Sequence, residues 1–228
     1  MSNTKELIEN RPKETYRLEA FSDGVFSIAI TLLVLELIQF LHPQKGESLL
    51  KSYLQHWEPF LAFLIGFLTI LVCWINHHHV FDYIKKTDSK LPWVNGFVLL
   101  MITITPLPTA ILAEFLDTEG KFAIATFGFN YFMIAIASYW ICAYPYNKSL
   151  IDEYDREFFH CIKLTYGYSI FYTLLAFLVC FISIPVAIVL YLVLFYVFAF
   201  PKEFAMKLLK RKQKKLKKSL LNEKARLH

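Results

Sequence analysis

Residues 17–40 read Arg17-Leu-Glu-Ala-Phe-Ser-Asp-Gly-Val-Phe-Ser-Ile-Ala-Ile-Thr-Leu-Leu-Val-Leu-Glu-Leu-Ile-Gln-Phe40. As a helix rising about 1.5 Å per residue, this stretch is long enough to cross the ~30 Å of bilayer hydrocarbon. It nevertheless carries Arg17, Asp23 and Glu36. An ionisable group inside a span costs roughly 2.5–3.5 kcal/mol on insertion scales and usually faces protein or water. At ~100° per residue, Ala20, Gly24, Ser27, Ile28, Thr31 and Leu35 share one narrow face, with Asp23 to one side and Glu36 further round the other. That face reads in two ways. It is a small-xxx-small stripe that lets helices approach closely, or it lines a pore, with Ser27 and Thr31 offering oxygens and Ile28 and Leu35 forming dry rings. Helix geometry alone leaves both open.

The rest of the chain agrees with a membrane setting. Of its 228 residues 56% are hydrophobic and only 19% charged, below the roughly 25% usual in soluble proteins. A soluble globule of this size has no interior able to hide so much apolar surface. Six stretches are long enough, or nearly so, to span: 17–40, 57–83, 91–115, 121–144, 162–184 and 185–201. Ser183-Ile184-Pro185 separates the last two, and its proline favours a turn over one kinked helix. The pattern predicts an all-α integral membrane protein with six transmembrane helices.

Charge sets the orientation. With Arg17 and Lys163, at the very ends of their stretches, counted with the adjoining tail and connection, only Lys45, Lys51 and Lys121 of the 24 Lys and Arg residues fall outside the two tails and the 2–3 and 4–5 connections. By the positive-inside rule both termini are cytoplasmic, and the expected location is the plasma membrane. A signal peptide is not expected, because residues 1–16 are mixed charge before any apolar run begins. The tail 202–228 carries eleven Lys and Arg and has no stacking aromatics after Phe204, so it points to anionic lipid headgroups and not to nucleic acid.

Reaction chemistry does not assemble. Cys73, Cys142, Cys161 and Cys180 are widely spaced in or near apolar runs, which suggests buried thiols with neither disulfide framework nor zinc site. His77, His78 and His79 are consecutive, so on a helix they point in three directions and cannot share one metal ion. A histidine bonded to a partner such as Asp23 is the simpler expectation. The chain has no HExxH, GxSxG, Walker A or GxGxxG, no regular intramembrane arginine series, and no TVGYG-like filter. Neither an enzyme, a bound cofactor nor a small-molecule substrate is indicated.

The run Arg17-x-x-x-Phe21-Ser22-Asp23, followed by Ile30-Thr31-Leu-Leu-Val-Leu-Glu36, resembles the bacterial members of the lysosomal potassium-channel family, the transmembrane protein 175 type. Trp74-Ile-Asn-His77, Asn95 and Thr105-Pro-Leu-Pro-Thr109 match its second and third helices, so the resemblance covers roughly residues 16–115. The second half agrees by hydropathy and helix count. The resemblance implies a homotetramer of six-helix subunits, with residues 1–16 and 202–228 as cytoplasmic tails around a channel domain at 17–201. Four copies of the first helix would surround a central pore. Ile28 would form a hydrophobic constriction, Thr31 the neighbouring hydroxyl layer and Leu35 a further dry level, with Gly24 and Ser27 on the same lining. Arg17, Phe21, Ser22 and Asp23 would join Trp74, His77 and Asn95 in an interior polar network. His78 and His79 beside His77 leave open which imidazole takes part.

An isoleucine ring cannot replace hydration oxygens, so it favours K⁺, the less tightly hydrated ion, and can gate by dewetting. The permeating K⁺ would be the only ion handled. The alternative is a proton-coupled secondary transporter, or a proton leak, using Asp23, Glu36 and His77.

Overall fold

The computed structural model describes residues 15–39, 48, 50, 57–200, 204–211 and 213–214. It comprises α1 (Tyr16–Gln39), α2 (Glu58–Phe81), α3 (Leu91–Ile104), α4 (Pro106–Asn147), a short 3-10 turn (Glu153–Asp155), α5 (Arg156–Val179) and α6 (Ile184–Ala199). Residues 204–211 form a further helical segment.

Local chemistry explains where these helices begin. Pro59, Pro92 and Pro185 each stand in a first turn, where a missing N–H is no loss. The carbonyl of Thr15 accepts from the N–H groups of Leu18 and Glu19, both at 2.9 Å, opening α1. Asp88 Oδ1 accepts from the N–H groups of Lys90 (3.0 Å) and Leu91 (2.8 Å), two donors that the start of α3 would otherwise leave unpaired. The Tyr144 hydroxyl donates to the other Asp88 oxygen at 2.5 Å. That bond, more than any other influence, holds the Asp88 carboxyl below its ordinary pKa.

Four runs are long and apolar enough to cross a membrane: Tyr16–Ile38, Pro59–Phe81, Leu91–Asn147 and Glu153–Val179, with Ile184–Tyr196 a shorter apolar helix. The third is 57 residues long. Straight, it would measure roughly 85 Å, far beyond the hydrocarbon core. It folds back instead at Glu119, whose φ of −132° and ψ of 42° are non-helical. The pairing proves the antiparallel return. Lys85 N–H donates to the Leu150 carbonyl at 3.0 Å, Phe97 meets Trp140 edge-on at 5.6 Å, and Asn130 Nδ2 donates to Thr105 Oγ1 at 3.0 Å. The midpoint of each pair falls close to Glu119.

Two expected boundaries change. The stretch 91–115 is divided at Thr105, because Pro106 and Pro108 cannot donate to the helical ladder. The Thr105 N–H turns to the Ile102 carbonyl at 3.1 Å, and α4 starts at once. The fifth helix begins at Arg156 instead of 162. Its first two turns hold Arg156, Glu157, His160 and Lys163, which hide a helix from hydropathy. The turn expected before Pro185 is present, with Ser183 extended at φ −149°, ψ 112°.

The main core lies around Phe26, Leu33, Ile70, Phe81, Leu91, Ile102 and Phe159, all almost fully buried. A second core joins α4, α5 and α6 through Phe127, Tyr131, Cys180, Tyr191 and Leu194. Gly128 is required there, since the Tyr191 ring occupies the space a Cβ would take. At Gly66 an added Cβ would lie 2.9 Å from Thr109 Oγ1 and 3.2 Å from Leu33, so α1, α2 and α4 meet closely at that point.

Candidate pore-facing helix and its polar anchor

Helix α1 has two unlike sides. Ser22, Phe26, Ala29 and Leu33, spaced by three or four residues, are buried against the bundle. Gly24, Ser27, Ile28, Thr31 and Leu35 are exposed, Ile28 at 62% and Leu35 at 55%. Among the described residues of one subunit, none buries this stripe. The Thr31 hydroxyl donates to the carbonyls of Ile28 (2.9 Å) and Ser27 (3.1 Å) on its own helix. Its proton is therefore turned inward, and its oxygen lone pairs are left for the exposed side, the polarity a cation requires.

The buried side carries a three-residue polar link. Ser22 Oγ donates to the Leu18 carbonyl at 2.7 Å and accepts from Asn95 Nδ2 at 2.8 Å. Asn95 Oδ1 then faces His77 Nε2 at 2.7 Å. Because the Ser22 proton is spent on Leu18, Asn95 must present its carbonyl to the histidine, and His77 Nε2 is the donor. Phe26 and Phe81 pack on the His77 ring at centroid distances of 5.3 and 4.5 Å. Among the three consecutive histidines, His77 alone joins this link. His78 is exposed and stacks on Trp74 at 6.1 Å, and His79 is half-buried. No group of three or more His, Cys, Asp or Glu suited to a metal ion occurs among the described residues.

Of the partners expected for Asp23, the structure pairs it with Trp74 and with neither Arg17 nor a histidine. Trp74 Nε1 donates to Asp23 Oδ1 at 2.8 Å, at the exposed margin of the α1–α2 contact. Arg17 is exposed and forms no ion pair with Asp23. Six residues apart on one helix they are separated by about 120° and roughly 9 Å of rise. Phe21 is 64% exposed, outside the link. The expected single cluster therefore resolves into Ser22–Asn95–His77 inside and Asp23–Trp74 at the margin. Glu36 lies some 20 Å along α1 from Asp23, in a crevice with Phe63, Thr109 and Ala113. The structure does not bring Asp23, Glu36 and His77 into one relay.

Other links join residues whose partners were not legible in the sequence. Asn76 Nδ2 donates to the Phe198 carbonyl at 2.7 Å, tying α2 to α6, and the Thr69 and Tyr131 hydroxyls meet between α2 and α4. Such buried polar residues are recognisable by type, but choosing their partners requires the packing of helices distant in sequence.

A bundle of long apolar helices with buried polar links marks an integral membrane protein, and the proteins it resembles are ion channels. The family model for the endosomal/lysosomal potassium channel TMEM175 matches residues 17–106. A potassium channel of Chamaesiphon minutus is 39% identical over 168 residues, covering 72% of this chain and 83% of that protein. The crystal structure of a lysosomal potassium-selective channel TMEM175 homologue from the same organism superposes with a TM-score of 0.73 at 36% identity, covering 83% of this chain and 98% of that one. The endosomal/lysosomal proton channel TMEM175 of Gallus gallus is 28% identical over 161 residues, which are 64% of this chain but 32% of that protein. The chain belongs to the TMEM175 family, a family of ion channels and not of enzymes.

Proposed function

We propose that the chain is the subunit of a potassium-permeable channel in the plasma membrane: six crossings, both termini cytoplasmic, and four copies assembled around a central path lined by α1. Residues 1–16 and 202–228 are its cytoplasmic tails, with the basic C-terminal tail near anionic headgroups. The observation that carries this reading is the uncovered stripe Gly24, Ser27, Ile28, Thr31 and Leu35, opposite a fully packed face on the same helix. Family membership and the likeness to the C. minutus potassium channel support it.

In this reading the Ile28 side chains close to a dry ring that an ion passes only by shedding or deforming its water shell, which favours K⁺ over Na⁺. The outward lone pairs of Thr31 receive the partly dehydrated ion, and Leu35 adds a second apolar level. The Ser22–Asn95–His77 link holds the back of α1 so that the stripe keeps its rotation. Leu35→Cys should test the arrangement: oxidative cross-linking should join α1 copies, and native mass spectrometry should give a tetramer. A monomer without cross-links but with intact melting would overturn it.

The vertebrate relatives are named proton channels. This favours a second reading, in which hydroxyls and trapped water along the same path also pass protons. Proton flux into K⁺-free liposomes, lost when Leu35 is enlarged to Trp, would support it.

A further inference from the structure

Away from α1, a groove of about 410 Å³ opens between α5, α6 and residues 204–211. Tyr168 and Tyr172, one turn apart on α5, and Leu194 of α6 form its apolar wall. Lys207 and Arg211 also line it. Four residues apart on one helical segment, they present their charges on the same side. Both are exposed, and neither is paired with a carboxylate among the described residues. The Lys207 ammonium lies 5.4 Å from the Phe204 ring centroid, a contact that leaves its charge uncompensated. The groove thus combines two cations, unpaired with carboxylates among the described residues, with an aromatic and aliphatic wall. On the helix of Tyr168 and Tyr172, Phe171 is 75% and Leu175 54% exposed.

We propose that this groove holds one anionic phospholipid, its phosphodiester headgroup between Lys207 and Arg211 and its acyl chain along Tyr168 and Tyr172. A free phosphate has no use for the apolar wall, and a zwitterionic lipid gains little from two cations. The volume suits a headgroup with its first methylenes, within the range of small-ligand sites. The site is distinct from a diffuse attraction of the basic tail to the bilayer, because it selects two particular cations and binds in a fixed ratio. It rests on the membrane-embedded reading but not on the pore, so ion flux and lipid binding fail independently.

The test uses the full chain in detergent, titrated with phosphatidylglycerol or phosphatidylcholine and read by native mass spectrometry. One phosphatidylglycerol per chain should bind saturably, while phosphatidylcholine binds weakly and millimolar inorganic phosphate does not compete. Lys207→Gln with Arg211→Gln should weaken binding roughly ten- to thirtyfold, as the loss of two near-surface cations implies. Lys214→Gln, outside the groove, should leave it unchanged, and Tyr168→Ala should weaken it without altering the choice of headgroup. Equal binding by the double variant, equal binding of phosphatidylcholine, competition by inorganic phosphate, or no adduct at all would each overturn the assignment.

Discussion

Asn95 joins Ser22 of the first helix to His77 of the second, with 2.8 Å on one side of its amide and 2.7 Å on the other. A single fully buried side chain on α3 thereby fixes the rotation of α1 against α2. Removing it leaves a buried donor and acceptor without partners, at about 1–3 kcal/mol each. Asn95→Ala should therefore lower the melting temperature in detergent clearly, and His77→Phe, which keeps the ring packing, should lower it less. Unchanged melting of Asn95→Ala would mean that the link contributes nothing net.

Gly128 faces the Tyr191 ring with no room for a methyl group. Gly128→Ala should force α6 away from α4 and destabilise the bundle by about 1–3 kcal/mol, the usual cost of overpacking. Pairing it with Tyr191→Leu, which frees the space, should restore much of the melting temperature. Failure of the second change to rescue the first would place the damage elsewhere.

Asp88 lies outside the spans and couples the start of α3 to Tyr144 of α4. Its pKa is lowered in the folded state, first by the Tyr144 hydroxyl. A lowered carboxylate pKa gives stability that is fully present above the unfolded value, near 3.9, and is lost as pH falls through the folded value. The melting-temperature gap between wild type and Asp88→Asn should be constant from pH 7 to about 5 and shrink below about pH 4. A gap that widens on acidification would reverse the sign of this assignment.

Much of this architecture was legible before any coordinates. Apolar run length and the one-sided distribution of Lys and Arg located the helices and the reversal near Glu119. The 3.6-residue period grouped Gly24, Ser27, Ile28, Thr31 and Leu35 on one face but left open whether that face packs or lines a path, and the structure leaves it exposed. Hydropathy failed at the start of α5, where Arg156 and Lys163 flank the Tyr146 ring at 4.8 and 3.9 Å and make a polar-looking helix part of the fold. It also cannot choose partners. Asp23 had Arg17, a histidine and Trp74 as candidates, and which of them it bonds depends on how α1 lies against α2. Ala29 shares the helix with Ile28 but is only 1% exposed, so a substitution there reads core packing and not the lining.

Thr31 offers a more delicate test of the lining than Ile28. Thr31→Val keeps the shape and removes the oxygen whose proton is held by Ile28 and Ser27. The variant should melt within about 1 kcal/mol of wild type, since only local hydrogen bonds are lost, while K⁺ preference and conductance fall. Retained preference would remove the hydroxyl layer from the ion path.

The central claim is that the exposed stripe of α1 is the ion path with Ile28 at its narrowest level, and the bi-ionic K⁺/Na⁺ reversal potential of Ile28→Asn channels in planar bilayers tests it most directly. An amide ring would hydrate the constriction without adding charge. Conduction should persist or rise while the reversal potential moves to near zero. An Ile28→Asn channel with an unchanged K⁺/Na⁺ reversal potential would contradict the account and leave the stripe as a packing surface.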